Sequence, residues 1–570
     1  MTTAVRVRVA DYLAKELSRA GVSHVFGVGG ANIEDLYDAM HATAGLLRPV
    51  VAKHEFSAGT MADGYARVTA RLGVVAATSG GGAMNLVPAL AEAHASRIPV
   101  LALVGQPPTG LEGRGAFQDS SGKAGSVDAR EVFGPVSRFC ARVTDPDSIG
   151  ELLAHAVAEA QSDPRGPSVL LLPKDVQQAL ITPGRRHEKL PAPPVLRPDA
   201  SAMDGAVELL RGADHLLLIA GEGVAAADAR TELAAVVRRL GACVAVTPDA
   251  KDVFDNHDPQ FVGTAGVMGH RSVAACLRRS DACLLVGTRL PLMASGGLEA
   301  ALAGTPVICV DPEPPFVPGI SLRGGLRDTL RELSGRLDPR PRTVGRHGEP
   351  TPLPIPSPGG FAASSAQALT AIESALPSDA HVFVDAGNVG ASAIHLLPAP
   401  RYGRFVVAVG MGGMGYTFGA GIGAALATRR RTYVIAGDGA FFMHGMEVHT
   451  AVEHAAPVTF VILNNNAHAM CVTREELYQG GARSDNVFLP ADIAAGAAAM
   501  FPALEVTRAE TAAQLRQALV QSNEGSGPAL VAMDVDRREV PPFLPFLTAL
   551  GQDQTHGKET ENDRGPVHVG

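Results

Sequence analysis

An aspartate between two glycines, Gly437-Asp438-Gly439, stands 24 residues ahead of the pair Asn464-Asn465. Each motif closes a short apolar run, "TYVIA" and "PVTFVIL". A carboxylate and a carboxamide at two adjacent strand ends converge on one point and offer only oxygen ligands. Mg2+ favours such a sparse site, completed by phosphate oxygens and water. Gly439 lets the backbone approach a phosphate, whose charge the start of the following helix favours. The plainer alternative is a turn at the aspartate and two asparagines capping a loop.

Upstream, "RFVVAVGMGGMGYTFGAGIGAALA" carries Gly410-x-Gly412-x-x-Gly415 between an apolar run and a helical stretch, with Asp438 23 residues further on. Those are features of a dinucleotide fingerprint, so a nicotinamide-dependent (NAD) dehydrogenase is an alternative from a different class. A ribose-binding acid needs no asparagine pair at the next strand end, which favours the cation reading. A third candidate, Glu55 in "VVAKHEFSAGTMADGYAR", is by itself an ordinary helix-capping or surface acid.

The elements that must position these residues repeat one grammar: a β-branched run, a glycine turn, an alanine-rich helix. Such runs cover 24–28, 72–80, 98–105 and 167–173, then 215–221, 242–248, 282–287 and 305–311. A third set covers 381–387, 404–410, 432–438, 457–465 and 528–535. Continuous apolar strands alternating with helices indicate parallel sheets covered on both faces. The expected fold is α/β, with three open doubly wound parallel-sheet domains over 1–182, 200–336 and 361–550. Proline-rich stretches at 183–199 and 337–360 read as linkers, and the polar segment 551–570 as a mobile tail. Ligands in such sheets bind beyond the carboxyl ends of the strands.

Composition narrows the function classes. Of 570 residues, 63 are glycine, none is tryptophan, 46% are hydrophobic and 19% charged, which excludes a disordered chain. A net charge of −9 without long runs of one sign argues against nucleic-acid binding. Six scattered cysteines without a CxxC pair indicate neither a zinc site nor a disulfide framework. No signal-peptide segment or uninterrupted apolar span occurs, so a cytoplasmic protein that does not enter membranes is expected.

The GDG…NN arrangement resembles the thiamine-diphosphate-dependent enzymes, and residues 4 to about 548 look most like the branch containing acetolactate synthase. The resemblance implies an aminopyrimidine-binding, a central and a diphosphate-binding domain, in that order. It puts Asp438, the Asn465 side chain and the Ala467 carbonyl on Mg2+. Asp385, Gly387, Asn388, Gly437, Gly439 and Ala440 then lie near the diphosphate of the cofactor. Met414 holds the cofactor bent, and the Gly412 carbonyl accepts a bond from its amino group. "KHEFSAGTMADGYAR" is similar to the family's RHExxAAxxAxGYAR, which makes Glu55 the acid that protonates the aminopyrimidine. "GRGAFQDSS" resembles a segment that places Phe117 and Gln118 near the donor substrate. Each site in this family combines two subunits, so a homodimer or homotetramer is implied.

The expected reaction is decarboxylation of a 2-keto acid, pyruvate above all, with transfer of the acyl unit to an unknown acceptor. The loop Gly27–Asn32 has no acid where the simple decarboxylases carry one, which favours transfer over aldehyde release. Within the class, a non-oxidative decarboxylase and a flavin-linked oxidase are the alternatives. Two departures from acetolactate synthase stand out. Arg474 takes the place of a tryptophan that shapes the acceptor pocket; it either binds an anionic group of the acceptor or pairs with neighbouring glutamates. His468 faces the same region as a proton carrier or a structural histidine. Bound FAD is not favoured, because "VGTRLPLMASGG" keeps Arg289 but loses the other charged positions of the flavin segment.

Overall fold

Runs such as Val100–Gln106 and Val458–Asn464 are buried along their whole length, which requires cover on both faces of a sheet. The computed structural model describes residues 6–183, 196–339, 349–356, 363–481 and 484–551. Within them lie three six-stranded sheets, parallel throughout. The first holds β1 (His24–Val28), β2 (Arg48–Val51), β3 (Gly73–Ala77), β4 (Val100–Gln106), β5 (Phe139–Arg142) and β6 (Ser168–Pro173). The second holds β7 (Leu216–Ala220), β8 (Cys243–Val246), β9 (Phe261–Thr264), β10 (Ala282–Val286), β11 (Val307–Val310) and β12 (Ile320–Leu322). The third holds β13 (His381–Val384), β14 (Phe405–Val407), β15 (Thr432–Gly437), β16 (Val458–Asn464), β17 (Glu505–Ala509) and β18 (Ala529–Asp534).

The first sheet runs β2-β1-β3-β4-β6-β5 and the third β14-β13-β15-β16-β18-β17, which is the same order. The second runs β9-β8-β7-β10-β11-β12, the order of the dinucleotide-binding fold. The α/β class with three doubly wound sheets is therefore as the sequence indicates. Five strands carry none of the apolar runs read from the sequence: β2, β5, β9, β12 and β17. All five are edge strands. An edge strand is sheltered on fewer sides, so its sequence is shorter and more polar. Most of both linkers, and the tail from residue 552, lie outside the described residues.

The first and third domains share one hydrophobic core. Two helices join them, α1 (Glu55–Thr69) and α2 (Tyr416–Thr428), each following the second strand of its own sheet. Their backbones touch: a Cβ at Gly64 would meet the Ala420 carbonyl oxygen at 2.1 Å, and one at Gly423 the Met61 carbonyl oxygen at 2.1 Å. Some of the 63 glycines thus serve helix-to-helix approach. Among the described residues no helix is long and apolar enough to cross a membrane.

Candidate active site

Strands β15 and β16 pair in register, Gly437 opposite Leu463, so the residues after them leave the sheet side by side. The Ala467 N–H donates to Asp438 Oδ2 at 3.0 Å and to Asn465 Oδ1 at 3.1 Å. Two oxygens from two strand ends therefore face one point. Asn464 does different work: its Nδ2 donates to Asp534 Oδ1 at 2.8 Å and fastens the end of β16 to β18. Burial raises the Asp438 pKa above the ordinary carboxylate value, and no basic side chain pairs with it among the described residues. A buried carboxylate without a counter-charge is costly, and a divalent cation there removes that cost. Among the described residues no group of three or more His, Cys, Asp or Glu could hold a metal, so this mixed oxygen pair stands out.

Around it lies a cradle. A Cβ at Gly439 would meet His468 Nδ1 at 2.6 Å and Met414 Cε at 3.1 Å, so any larger residue would fill the space these three share. His468 Nδ1 and Asn388 Oδ1 are buried without a hydrogen-bond partner. Asn388 opens the helix Asn388–Leu396 behind Gly387, whose φ of 96° suits glycine alone. Unsatisfied polar atoms beside an uncompensated carboxylate fit a polar ligand carrying its own cation. Residues present therefore fit Mg2+ and a diphosphate. Ala440 is buried at the start of the Asp438 helix, and Gly437 is half-buried at the end of β15. Asp385 is otherwise engaged. Its carboxylate accepts from the N–H groups of Ala386 at 2.9 Å and Gly415 at 3.0 Å, and from Thr417 Oγ1 at 2.6 Å. It anchors the end of the Gly410–Gly415 loop.

The first domain supplies a second set. Half-buried Glu55 opens α1, and its Oε2 accepts from Asn85 Nδ2 at 2.9 Å. A Cβ at Gly82 would lie 2.9 Å from Glu55 Oε1. Gln118 reaches the same loop, accepting at Oε1 from Thr78 Oγ1 at 3.2 Å. A Cβ at Gly80 would meet Gln118 Cβ at 2.8 Å. Glu55 and Gln118 thus converge on residues 78–82, beyond the carboxyl end of β3. Phe117 does not join them and is 76% exposed. Arg474 is exposed on the helix Ala469–Gln479 and pairs with no glutamate among the described residues; Glu475 accepts from Asn486 Nδ2 instead. His468 packs edge-on against Phe488, ring centroids 4.7 Å apart. No hydrogen bond or ion pair among the described residues joins the Glu55 set to the Asp438 set.

Sequence reasoning missed two polar partners. Asn85 was within reach, since it ends the glycine-rich segment "TSGGGAMN" that continues the run at 72–80. Glu92, which accepts from the Gly410 and Met411 N–H groups, carries no sequence signal. Arg289, singled out for flavin, lies 4.0 Å over the Phe316 ring in a cavity of about 480 Å3 shared with Arg97, Thr288 and Gly410.

A cation-ready oxygen pair, a glycine cradle and an acid on a separate domain define a diphosphate-cofactor enzyme of α/β architecture. Three sequence models of the thiamine pyrophosphate enzymes match in succession: the N-terminal TPP binding domain at 7–125, the central domain at 203–333 and the C-terminal TPP binding domain at 385–533. The chain belongs to this family. It is similar to the acetolactate synthase of Arthrospira platensis, 30% identical over 489 residues, covering 81% of this chain and 82% of that protein. Acetolactate synthase isozyme 1 large subunit of Escherichia coli is 28% identical over 565 residues, covering 95% and 97%. The acetolactate synthase large subunit of Corynebacterium glutamicum is 28% identical over 536 residues, covering 89% and 83%. Membership replaces the dehydrogenase reading of the Gly410–Gly415 fingerprint.

Proposed function

We propose that the protein removes CO2 from a 2-keto acid of the pyruvate class and transfers the acyl unit to an acceptor, using thiamine diphosphate and Mg2+. The observation that carries the cofactor part is the single N–H of Ala467 shared by Asp438 and Asn465. When bound, thiamine diphosphate supplies the carbon nucleophile and the electron sink for decarboxylation. Asp438, Asn465 and the Ala467 carbonyl hold Mg2+, with Gly387, Asn388, Gly437, Gly439 and Ala440 against the diphosphate. The Gly412 carbonyl would accept from the cofactor's amino group, and the Met414 side chain would pack against the cofactor. Glu55 holds a proton at the aminopyrimidine ring, and Gln118 lines the donor side, whereas exposed Phe117 stands apart from both. Arg474, exposed and paired with no glutamate among the described residues, binds a carboxylate or phosphate on the acceptor. Transfer is favoured over aldehyde release by the acid-free loop Gly27–Asn32.

The two half-sites belong to different ends of one chain. Met411, Phe442 and Met443, 62%, 51% and 50% exposed, are apolar surface in and after the glycine loops of the cation half. A second copy covering them brings its Glu55 to this Asp438, which makes the protein a homodimer or a tetramer of such dimers. Bound flavin is not favoured, and a purified sample with a flavin absorbance band would overturn that.

Incubation with pyruvate and candidate acceptors, with CO2 release and products followed by mass spectrometry, tests the reaction. Acceptor-dependent product with CO2 release is expected, and loss of neither in Glu55→Gln would sink the proposal. A decarboxylase releasing free aldehyde is the second reading, favoured by His468, whose unpartnered Nδ1 beside Met414 can carry a proton. Aldehyde formed in equal yield with and without acceptor would select it.

A further inference from the structure

The segment from Gly410 to Met414 has little to hold its own shape. Gly412 and Gly415 take φ values of 66° and 83°, and three of the residues are glycine. Its position is set from outside, at both ends. At the far end Asp385 accepts from the N–H of Gly415, as described above. At the near end the acceptor comes from another domain: Glu92, on the helix Val87–Ala95 of the first domain, 3% exposed. Its Oε1 accepts from the Gly410 N–H at 3.2 Å and its Oε2 from the Met411 N–H at 2.6 Å. Ser96 Oγ donates to Oε1 at 2.8 Å and holds the carboxylate in place. Its counter-charge is Arg67, whose Nη2 lies 3.7 Å away. Arg67 is itself fixed by Asp63, which accepts from the Tyr416 hydroxyl just past the loop.

A carboxylate buried this deeply must have its oxygens satisfied, and hydrogen bonds to a charged acceptor are stronger and shorter than neutral ones. Glu92 spends that capacity on two consecutive backbone N–H groups in a stretch with almost no other anchor. The next two positions toward the cradle are Gly412 and Gly413, then Met414. We infer that Glu92 is a positioning residue for the cofactor cradle: it fixes the loop from the neighbouring domain, and with it the Gly412 carbonyl and the Met414 side chain. The part concerning the cofactor rests on the proposed function, whereas the anchoring does not.

Two measurements on the full-length protein separate the parts. Hydrogen–deuterium exchange of the cofactor-free protein reads the anchoring, and calorimetric titration with thiamine diphosphate and Mg2+ reads the cradle. In Glu92→Gln, amides of the peptide covering 408–415 should exchange at least ~10-fold faster, with the central domain unchanged. The dissociation constant for thiamine diphosphate should rise by about 10-fold. Gly410→Ala approaches from the loop side, because its Cβ would lie 2.9 Å from Glu92 Oε1 and push the loop away. It should reproduce both effects, and it stands in if Glu92→Gln does not fold. Unchanged exchange of 408–415 in either folded variant overturns the anchoring. Faster exchange with unchanged cofactor affinity overturns the cradle role of Gly412 and Met414 and leaves the anchor standing. Exchange raised throughout the molecule, with affinity intact, makes Glu92 a general stability residue and overturns the inference.

Discussion

The first and third domains have sheets of identical strand order, yet their strand ends are furnished for opposite tasks. In the first, the residues after β2 and β3 are a single acid, a threonine and glycines, with Asn85 and Gln118 as partners. In the third, the residues after β13 to β16 hold two buried aspartates, the glycine loop and Asn465. In the proposed function, one framework handles a proton and the other a cation and a diphosphate. The difference teaches that the sheet supplies only the geometry of convergence, and that a few residues beyond each strand decide the chemistry. The likeness extends to the packing, since α1 and α2 occupy the same place in the two domains and lie against each other.

Removing the acid from each half should separate binding from turnover. Asp438→Ala is expected to lose Mg2+-dependent thiamine diphosphate binding by ~100-fold or more in calorimetry, whereas Glu55→Gln should bind within a few-fold and lose turnover by ~100-fold or more. Equal loss of binding in both would erase the distinction. Next in size is the contact that joins the halves. Gly423→Val forces a side chain into the Met61 carbonyl, with the first atom at 2.1 Å, and should destabilise the protein by about 3 kcal/mol or more, read as a lowered Tm.

Acid should act on the two domains alike. His24 and His381 each open the first strand of their sheet, and burial lowers the pKa of each to about 4. Unfolding lets both take a proton at their ordinary value of 6.5. The stability they contribute is thus present above about 6.5 and is lost as the pH falls toward about 4, on the order of 1–3 kcal/mol each. Chemical denaturation of His24→Gln and His381→Gln across that range checks it, each variant losing part of the acid sensitivity. Smallest is the effect of Arg474→Ala, expected to raise the acceptor KM by a few-fold while cofactor affinity stays unchanged; an unchanged acceptor KM removes Arg474 from the acceptor site.

Much of this was legible because it is local or repetitive. GDG and NN sit at the ends of adjacent strands, so their spacing along the chain already implies their meeting in space. Thirteen buried runs announced parallel sheets, while five of the six edge strands stayed silent, among them the half-exposed Arg48–Val51, which has no apolar period. Arg474 shows the reverse case: its type suggested either an anionic acceptor group or neighbouring glutamates as partner, and among the described residues it pairs with no glutamate.

The amino-acid sequence by itself determined the α/β class, the family and the two polar clusters, since each rests on residues close together in the chain or on runs that must be buried. Tertiary structure alone decided that Glu92 would reach Gly410 across 318 residues. It also decided that Asp385 would anchor the glycine loop, and that Gly64 and Gly423 would admit a neighbouring helix. No spacing along a chain encodes such contacts, because they depend on how whole domains pack and on which buried polar group is left to satisfy another.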